Sequence, residues 1–389
     1  MFRPLAKPSS TPPWPGSGLL RYRAELGIRG EPVTLGEGGT PLMPHDRWLL
    51  KLEGLSPTGS FKDRGAATVI TAARAAGATT VVEDSSGNAG TAIAAYAAAA
   101  GLKARVFAPD DIVASKARAI RALGAELITI SGPRSAVTQA AVAAARDGYD
   151  AGHARDDAFL EGTKTIAYEL FEALGPDLPD VITPVGQGTV LIGLAMGFGE
   201  LVSRGLLARA PRLHGVQSEA CAPLVRGASI GRPAPVVRQP SIADGIRIPE
   251  PTRAARSHAA VRYGGGRWMS VREDAIERPW RARAARGAVM HPTPAPGPAG
   301  LWNEQLVEAR LTGRRVRQIG GDRIRDPPVS DPSFGGQPRR AGLGDAGELP
   351  GPHPNVHQPP PGPPERCHAF RRRPPPAAEN TPRAFGRPH

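Results

Sequence analysis

The sequence predicts an α/β protein whose parallel sheets carry helices on both faces. Three observations predict it. Short β-rich runs alternate with helical runs of 10–15 residues from about residue 78 onward. Gly-, Ser- and Asn-rich turns stand directly between a strand and a helix. The longest apolar run, Thr91 to Leu102, is alanine-rich and reads as a buried helix. It falls short of the roughly 20 apolar residues needed to span a bilayer.

Taken in order, Leu49-Leu50-Lys51-Leu52 is an extended run ahead of the turn-forming segment Ser56 to Ser60. Thr79-Thr80-Val81-Val82-Glu83 reads as a strand and Asn88 to Ala100 as a helix. Ala104 to Ala108 is a strand, and Ala114 to Leu123 a helix ending at Gly124. Glu126 to Ile130 is a strand, Ser135 to Arg146 a helix, and Gly162 to Leu174 another helix. Val181 to Val185 is a strand leading to a helix from about Val190, and Leu213 to Gln217 one more strand. Such βαβ units build parallel sheets, whose ligands bind beyond the carboxyl ends of the strands. From about residue 328 apolar periodicity ends. Pro359-Pro360-Pro361, Pro363-Pro364 and Pro374-Pro375-Pro376 can continue neither a helix nor a central strand, so 328–389 is expected to be disordered.

The chain of 389 residues is long enough for a sizeable core. Its formal charge of +13 comes from scattered arginines with no interleaved aromatic surface, which argues against a nucleic-acid partner. Cys221 and Cys367 match no metal spacing. Met1 to Pro15 has no apolar signal segment, and residues 1–17 read as a flexible start. Few cysteines and no signal predict a cytoplasmic protein without a membrane anchor.

Three loops carry the chemistry. Ser56-Pro57-Thr58-Gly59-Ser60-Phe61-Lys62-Asp63-Arg64-Gly65 places one lysine between a turn and a helix start. A cation there opposes the helix dipole, which counts against a plain surface lysine. Ser85-Ser86-Gly87-Asn88 offers hydroxyls, amides and N–H groups that suit a carboxylate, although Ser86 or Asn88 could also serve only as a helix cap. Gly186-Gln187-Gly188-Thr189 opens a helix, and backbone N–H groups at such a position hold phosphate. A reactive amine, an amide-bearing loop and a phosphate turn together describe a pyridoxal phosphate site. Arg64 is a cation that could lower the lysine's proton affinity. His153 is expected to be structural or solvent-facing, and Lys51 and Arg155 are weaker candidates for a substrate phosphate.

The chain resembles the threonine synthase branch of the fold type II pyridoxal phosphate enzymes, which also include tryptophan synthase β and the serine/threonine dehydratases. Leu35-Gly36-Glu37-Gly38-Gly39-Thr40-Pro41-Leu42, Pro57 to Gly65, Ser85 to Gly90 and Pro184 to Thr189 carry the likeness. Glu161 to Thr165 and Ala243 to Ile246 add to it, over roughly residues 18–250. The resemblance implies Lys62 as the amine that bonds the cofactor aldehyde, Asn88 on the ring oxygen, and Gly186, Gln187, Gly188, Thr189 and Val190 around the phosphate. Ser85, Ser86 and Gly87 would then face the substrate. It also implies two αβα domains within 18–327, the smaller within about 50–150, and a homodimer.

Beyond residue 250 the likeness decays. His291 to Pro298 carries alternating prolines where the family has a helix, and Pro279 interrupts the helical run Arg272 to Arg286. In Ile319 to Pro327, Gly320 stands where the family has a hydroxyl facing the pyridine nitrogen, and Arg323 where it has a glycine. The resemblance implies a lyase converting O-phospho-L-homoserine and water to L-threonine and phosphate. Lys-Asp-Arg-Gly after Phe61 favours that branch, and Ser85 to Asn88 is equally dehydratase-like. A serine/threonine ammonia-lyase and a non-catalytic relative therefore stay open.

Overall fold

The computed structural model describes residues 14–45, 48–85, 87–241 and 243–276, together with the backbone of 306–310. Ser86, Pro279, the proline run 291–298, Gly320, Arg323 and the 328–389 tail, all singled out from the sequence, lie outside these residues. All described residues belong to one compact unit, Met1–Ile319.

The chain enters as a 3-10 turn at Leu19–Glu25, then forms β1 (Leu42–His45), β2 (Trp48–Leu52) and α1 (Lys62–Ala75). An alternating series follows: β3 (Thr80–Glu83), α2 (Asn88–Ala99), β4 (Lys103–Pro109), α3 (Ala114–Ala122), β5 (Glu126–Ile130), α4 (Arg134–Ala144) and β6 (Tyr149–Asp150). Next come α5 (Ala158–Leu174), β7 (Asp180–Pro184), α6 (Thr189–Ser203), β8 (Leu213–Ser218), α7 (Pro223–Arg226), α8 (Ala254–Tyr263), β9 (Trp268–Val271) and β10 (Leu306–Arg310). The helix predicted from Gly162 begins four residues earlier, at Ala158, because Asp156 Oδ1 accepts the Ala158 N–H at 2.8 Å.

The smaller sheet has the order β5-β4-β3-β6 and is parallel throughout. Its strands show the two-residue alternation of a sheet buried on both faces. Val81 and Val106 face one way, into the main core with Ile93 and Tyr96 of α2 and Ile120 of α3. Val82 and Phe107 face the other way, against Val137 and Ala141 of α4.

The larger sheet has the order β1-β2-β10-β7-β8-β9. It is parallel over β7, β8 and β9, whereas β1, β2 and β10 pair antiparallel. The larger sheet is therefore mixed rather than purely parallel. The connection between His45 and Trp48 is two residues, and a link that short can only reverse the chain.

Glycines let α1, α5 and α6 pack at close range. A β-carbon on Gly162 would lie 1.9 Å from the Arg64 carbonyl oxygen, and one on Gly193 2.3 Å from Thr163 Oγ1. The buried body also reaches into the expected flexible start. Trp14 is 3% exposed and stacks edge-on with Tyr22, centroids 5.1 Å apart, so the 1–17 boundary does not hold at Trp14.

Candidate functional site

β2 and β7 both run antiparallel to β10, so they run in the same direction. The segments that leave their carboxyl ends therefore emerge from one edge of the larger sheet. The first leads to Lys62 and the second to Gly186–Val190. The third loop, at 85–88, leaves the carboxyl end of β3 in the smaller sheet. The helices these loops open are contiguous, with α1 packed on α2 and α5, and α5 packed on α6.

Lys62 is the first residue of α1 and is 4% exposed. Its Nζ lies 4.1 Å from the centroid of the Phe61 ring. The turn before it closes through Gly59 N–H on the Ser56 carbonyl at 2.8 Å, and the Lys62 N–H donates to Ser60 Oγ at 3.3 Å. An amine so placed is screened from water and aimed by a fixed turn.

Gly186–Val190 joins β7 to α6. Gly188 is the residue before the helix and has φ +86°, a left-handed conformation that favours glycine. The surroundings demand glycine as well, since a β-carbon there would lie 2.1 Å from Ser257 Oγ of α8. The N–H groups of 186–190 find no backbone acceptor among the described residues. Gln187 turns away, and its Oε1 accepts the Thr252 N–H at 3.0 Å. The loop is tied to α5 where Thr163 Oγ1 donates to the Thr189 carbonyl at 3.1 Å. This is a rigid cradle of free donors at a helix N-terminus, a fit for a phosphate dianion.

In the third loop Ser85 Oγ accepts the Gly87 N–H at 3.3 Å. Gly90 is required by close approach, because a β-carbon would stand 2.0 Å from the Ser85 carbonyl oxygen. Asn88 opens α2 and is half-buried. The residue preceding the helix is Gly87, and no side chain caps it.

Arg64 has carboxylate partners of its own. It is fully buried and turned into a network of two carboxylates. Its Nε and NH2 reach Glu53 at 2.7 and 2.8 Å, and NH1 and NH2 reach Glu169 at 2.7 and 2.8 Å. Thr165 Oγ1 accepts from NH1 at 3.0 Å. Lys51 joins the same network, with Nζ 2.5 Å from Glu169 Oε2, so it is a buried structural cation and not a substrate group. Burial lowers the proton affinity of Lys51, opposed by Glu169 and Glu53. Burial would raise the Glu169 carboxyl, but Arg64 and Lys51 outweigh it and hold it down.

Two further candidates also have partners. His153 Nδ1 lies 2.8 Å from Glu83 Oε1, and the ring packs against Phe159, a structural placement. Arg155 bonds Asp150 at 2.7 and 2.8 Å and Asp84 at 2.9 Å. Burial would raise the Asp84 carboxyl, but Arg155, Arg134 and the Thr138 hydroxyl hold it down to about 2.

Sequence reasoning passed over Asp63, Glu37, Glu53, Glu169 and Ser257. Asp63 and Glu37 stand inside the motifs already singled out. Glu169 is 105 residues from Arg64 and Ser257 lies far beyond Gly188, so no local pattern marks either.

A family model described as "Pyridoxal-phosphate dependent enzyme" matches residues 33–316. The threonine synthase of Synechocystis sp. (strain ATCC 27184 / PCC 6803 / Kazusa) is 34% identical, covering 86% of this chain and 92% of that protein. The threonine synthase of Methanosarcina acetivorans is 33% identical, over 79% of this chain and 80% of that one. Among solved structures, the T.th. threonine deaminase superposes with TM-score 0.53 at 26% identity, covering 64% of this chain and 78% of that one.

Proposed function

The chain belongs to the pyridoxal-phosphate dependent enzymes, with the fold type II architecture, and from that premise we propose that it is a threonine synthase. The reaction is O-phospho-L-homoserine and water to L-threonine and phosphate. The observation that carries this reading is the exit of the Lys62 segment and the glycine cradle from one edge of the larger sheet.

Lys62 is the residue that bonds the cofactor aldehyde, Gly186, Gln187, Gly188, Thr189 and Val190 hold its phosphate, and Asn88 meets its ring oxygen. When bound, pyridoxal phosphate supplies an electron sink for charge that develops at the substrate Cα. The chain's own residues do the rest. The free N–H groups of the cradle hold the anion without a competing lysine. Ser85, Ser86 and Gly87 hold the substrate carboxylate. Lys62 Nζ, once released, takes the Cα proton. Its seat against Phe61 keeps bulk water away from that proton and fixes the direction of the transfer. The protein acts as a cytoplasmic homodimer.

A serine/threonine ammonia-lyase is the second reading, favoured by Ser85 to Asn88 and by the likeness to a solved threonine deaminase. Purified protein given pyridoxal phosphate should gain a visible absorbance band that Lys62→Ala abolishes. Phosphate release from O-phosphohomoserine, set against 2-oxo acid release from threonine or serine, separates the two activities. Absence of the band in the wild-type protein rejects both.

A further inference from the structure

Asp63 follows Lys62 in the first turn of α1 and has no exposed surface. Its carboxylate reaches back to the turn that precedes the lysine. The Thr58 N–H donates to Oδ2 at 2.7 Å, and the Thr58 hydroxyl donates to Oδ1. The same turn is closed by Gly59 N–H on the Ser56 carbonyl, with Gly59 at φ +87°. Residues 58 and 63 are thus clasped around Lys62 by two bonds to one carboxyl group, which when ionised is a stronger tie than two neutral bonds.

The surroundings make this carboxylate costly. Glu37 of the 36–39 loop and Glu53 face it, with Tyr96 of α2, whose hydroxyl donates to Glu37 Oε2 at 2.7 Å. The adjacent cation Arg64 is committed to Glu53 and Glu169. Burial pushes the Asp63 carboxyl up to about 7, against the pull of the two Thr58 donors, and Glu37 and Glu53 add to the rise. Ionised Asp63 therefore subtracts from fold stability above neutral pH. A group held at such a cost beside a reactive amine is what a functional constraint leaves behind.

We propose that Asp63 is a positioning residue for Lys62, holding the 56–61 turn through Thr58 so that the amine is presented to the cofactor. This rests on the reading of Lys62 as the cofactor amine.

The test compares full-length wild type with Thr58→Ala, Asp63→Ala, the double variant and Asp63→Asn. Pyridoxal phosphate is the probe, and its Kd is read from the visible absorbance of the bound cofactor. Asp63→Ala, which removes both bonds, should raise Kd about tenfold, equivalent to about 1.4 kcal/mol, and Thr58→Ala, which removes only the hydroxyl bond, should raise it by less. The double variant should bind no worse than Asp63→Ala alone, because the Thr58 hydroxyl acts only through the Asp63 carboxylate. Asp63→Asn can still accept the Thr58 N–H, so its Kd should fall between wild type and Asp63→Ala. At pH 8 it should melt no lower than wild type, a separation of affinity from stability that a purely structural role does not produce. Additive single effects, or wild-type affinity in Asp63→Ala, would overturn the proposal. Should Asp63→Ala fail to fold, the half-buried Thr58→Ala decides alone, and unchanged affinity counts against the clasp. If even the wild type takes up no cofactor, the reading of Lys62 fails, and hydrogen exchange at the Thr58 amide then judges the clasp separately. At pH 8, where Asp63 is ionised, exchange should be about tenfold faster in Asp63→Asn than in wild type, since a neutral acceptor holds the amide more weakly. Equal rates overturn the clasp.

Discussion

Arg64 and Glu169, 105 residues apart and both buried, are joined by two parallel hydrogen bonds of 2.7 and 2.8 Å. The pair anchors α1, and with it the lysine turn, to α5. Arg64→Met should therefore destabilise the fold by about 3–5 kcal/mol, because Glu53 and Glu169 are left buried against Lys51 alone. Arg64→Lys should recover only part of this loss, since one ammonium cannot bond both carboxylates in fork geometry. Urea unfolding of the three proteins measures it, and a loss below about 1 kcal/mol for Arg64→Met contradicts the anchoring role.

Gly188→Ala should weaken cofactor binding at least about tenfold. The left-handed backbone alone costs about 1–2 kcal/mol for an alanine, and the new β-carbon meets Ser257 Oγ at 2.1 Å. Adding Ser257→Gly removes the clash and leaves the backbone strain, so the double variant should recover part of the affinity. A cofactor titration of wild type, single and double variants reads both contributions.

Lys62→Ala should fold and bind the cofactor only weakly, without the visible band. The truncated side chain leaves the turn bonds of Ser56, Gly59 and Asp63 in place. Circular dichroism unchanged from wild type, with the band gone, is the expected pair of results. A retained band would assign the aldehyde to another amine.

Two carboxylates should tilt stability in opposite directions with pH. Asp63 has a folded value of about 7, above its unfolded value, so its contribution is full in acid and is lost as pH rises through 7. The loss is on the order of 3–4 kcal/mol for a group with no exposed surface. Asp84, at about 2, contributes above the ordinary carboxylate range and loses that contribution as pH falls through 2. Melting curves between pH 4 and 8 should flatten in Asp63→Asn, and those below pH 4 should flatten in Asp84→Asn. An unchanged slope in either variant contradicts its assignment.

Much of the fold was legible because local rules produced it. Glu126–Ile130 is a strand at the expected residues, and α2 starts at Asn88 as the Ser85-Ser86-Gly87-Asn88 turn suggests. Alternation of short β runs with helices of two to four turns is enough to predict parallel pairing, and β3 to β6 obey it. The antiparallel half of the larger sheet was not legible, because β10 lies more than 250 residues after β2 and fills the place between β2 and β7. Its run Leu306 to Arg310 carries no strand signal of its own.

The sequence by itself determined the chemistry types and their local settings: an amine after a turn, an amide loop and a glycine cradle, each at a strand-to-helix junction. Those follow from short-range backbone preference, which neighbouring residues dictate. Only the tertiary structure decided which charges are engaged. Arg64 reads as a cation that could act on Lys62 and Lys51 as a candidate for a substrate phosphate, yet both are paired with Glu169 of α5. Long-range ion pairs depend on which helices come together, and α5 meets α1 because Gly162 lets the Arg64 carbonyl approach. That packing, not any spacing along the chain, commits Arg64 to Glu53 and Glu169, while Asp63 holds the lysine turn through Thr58.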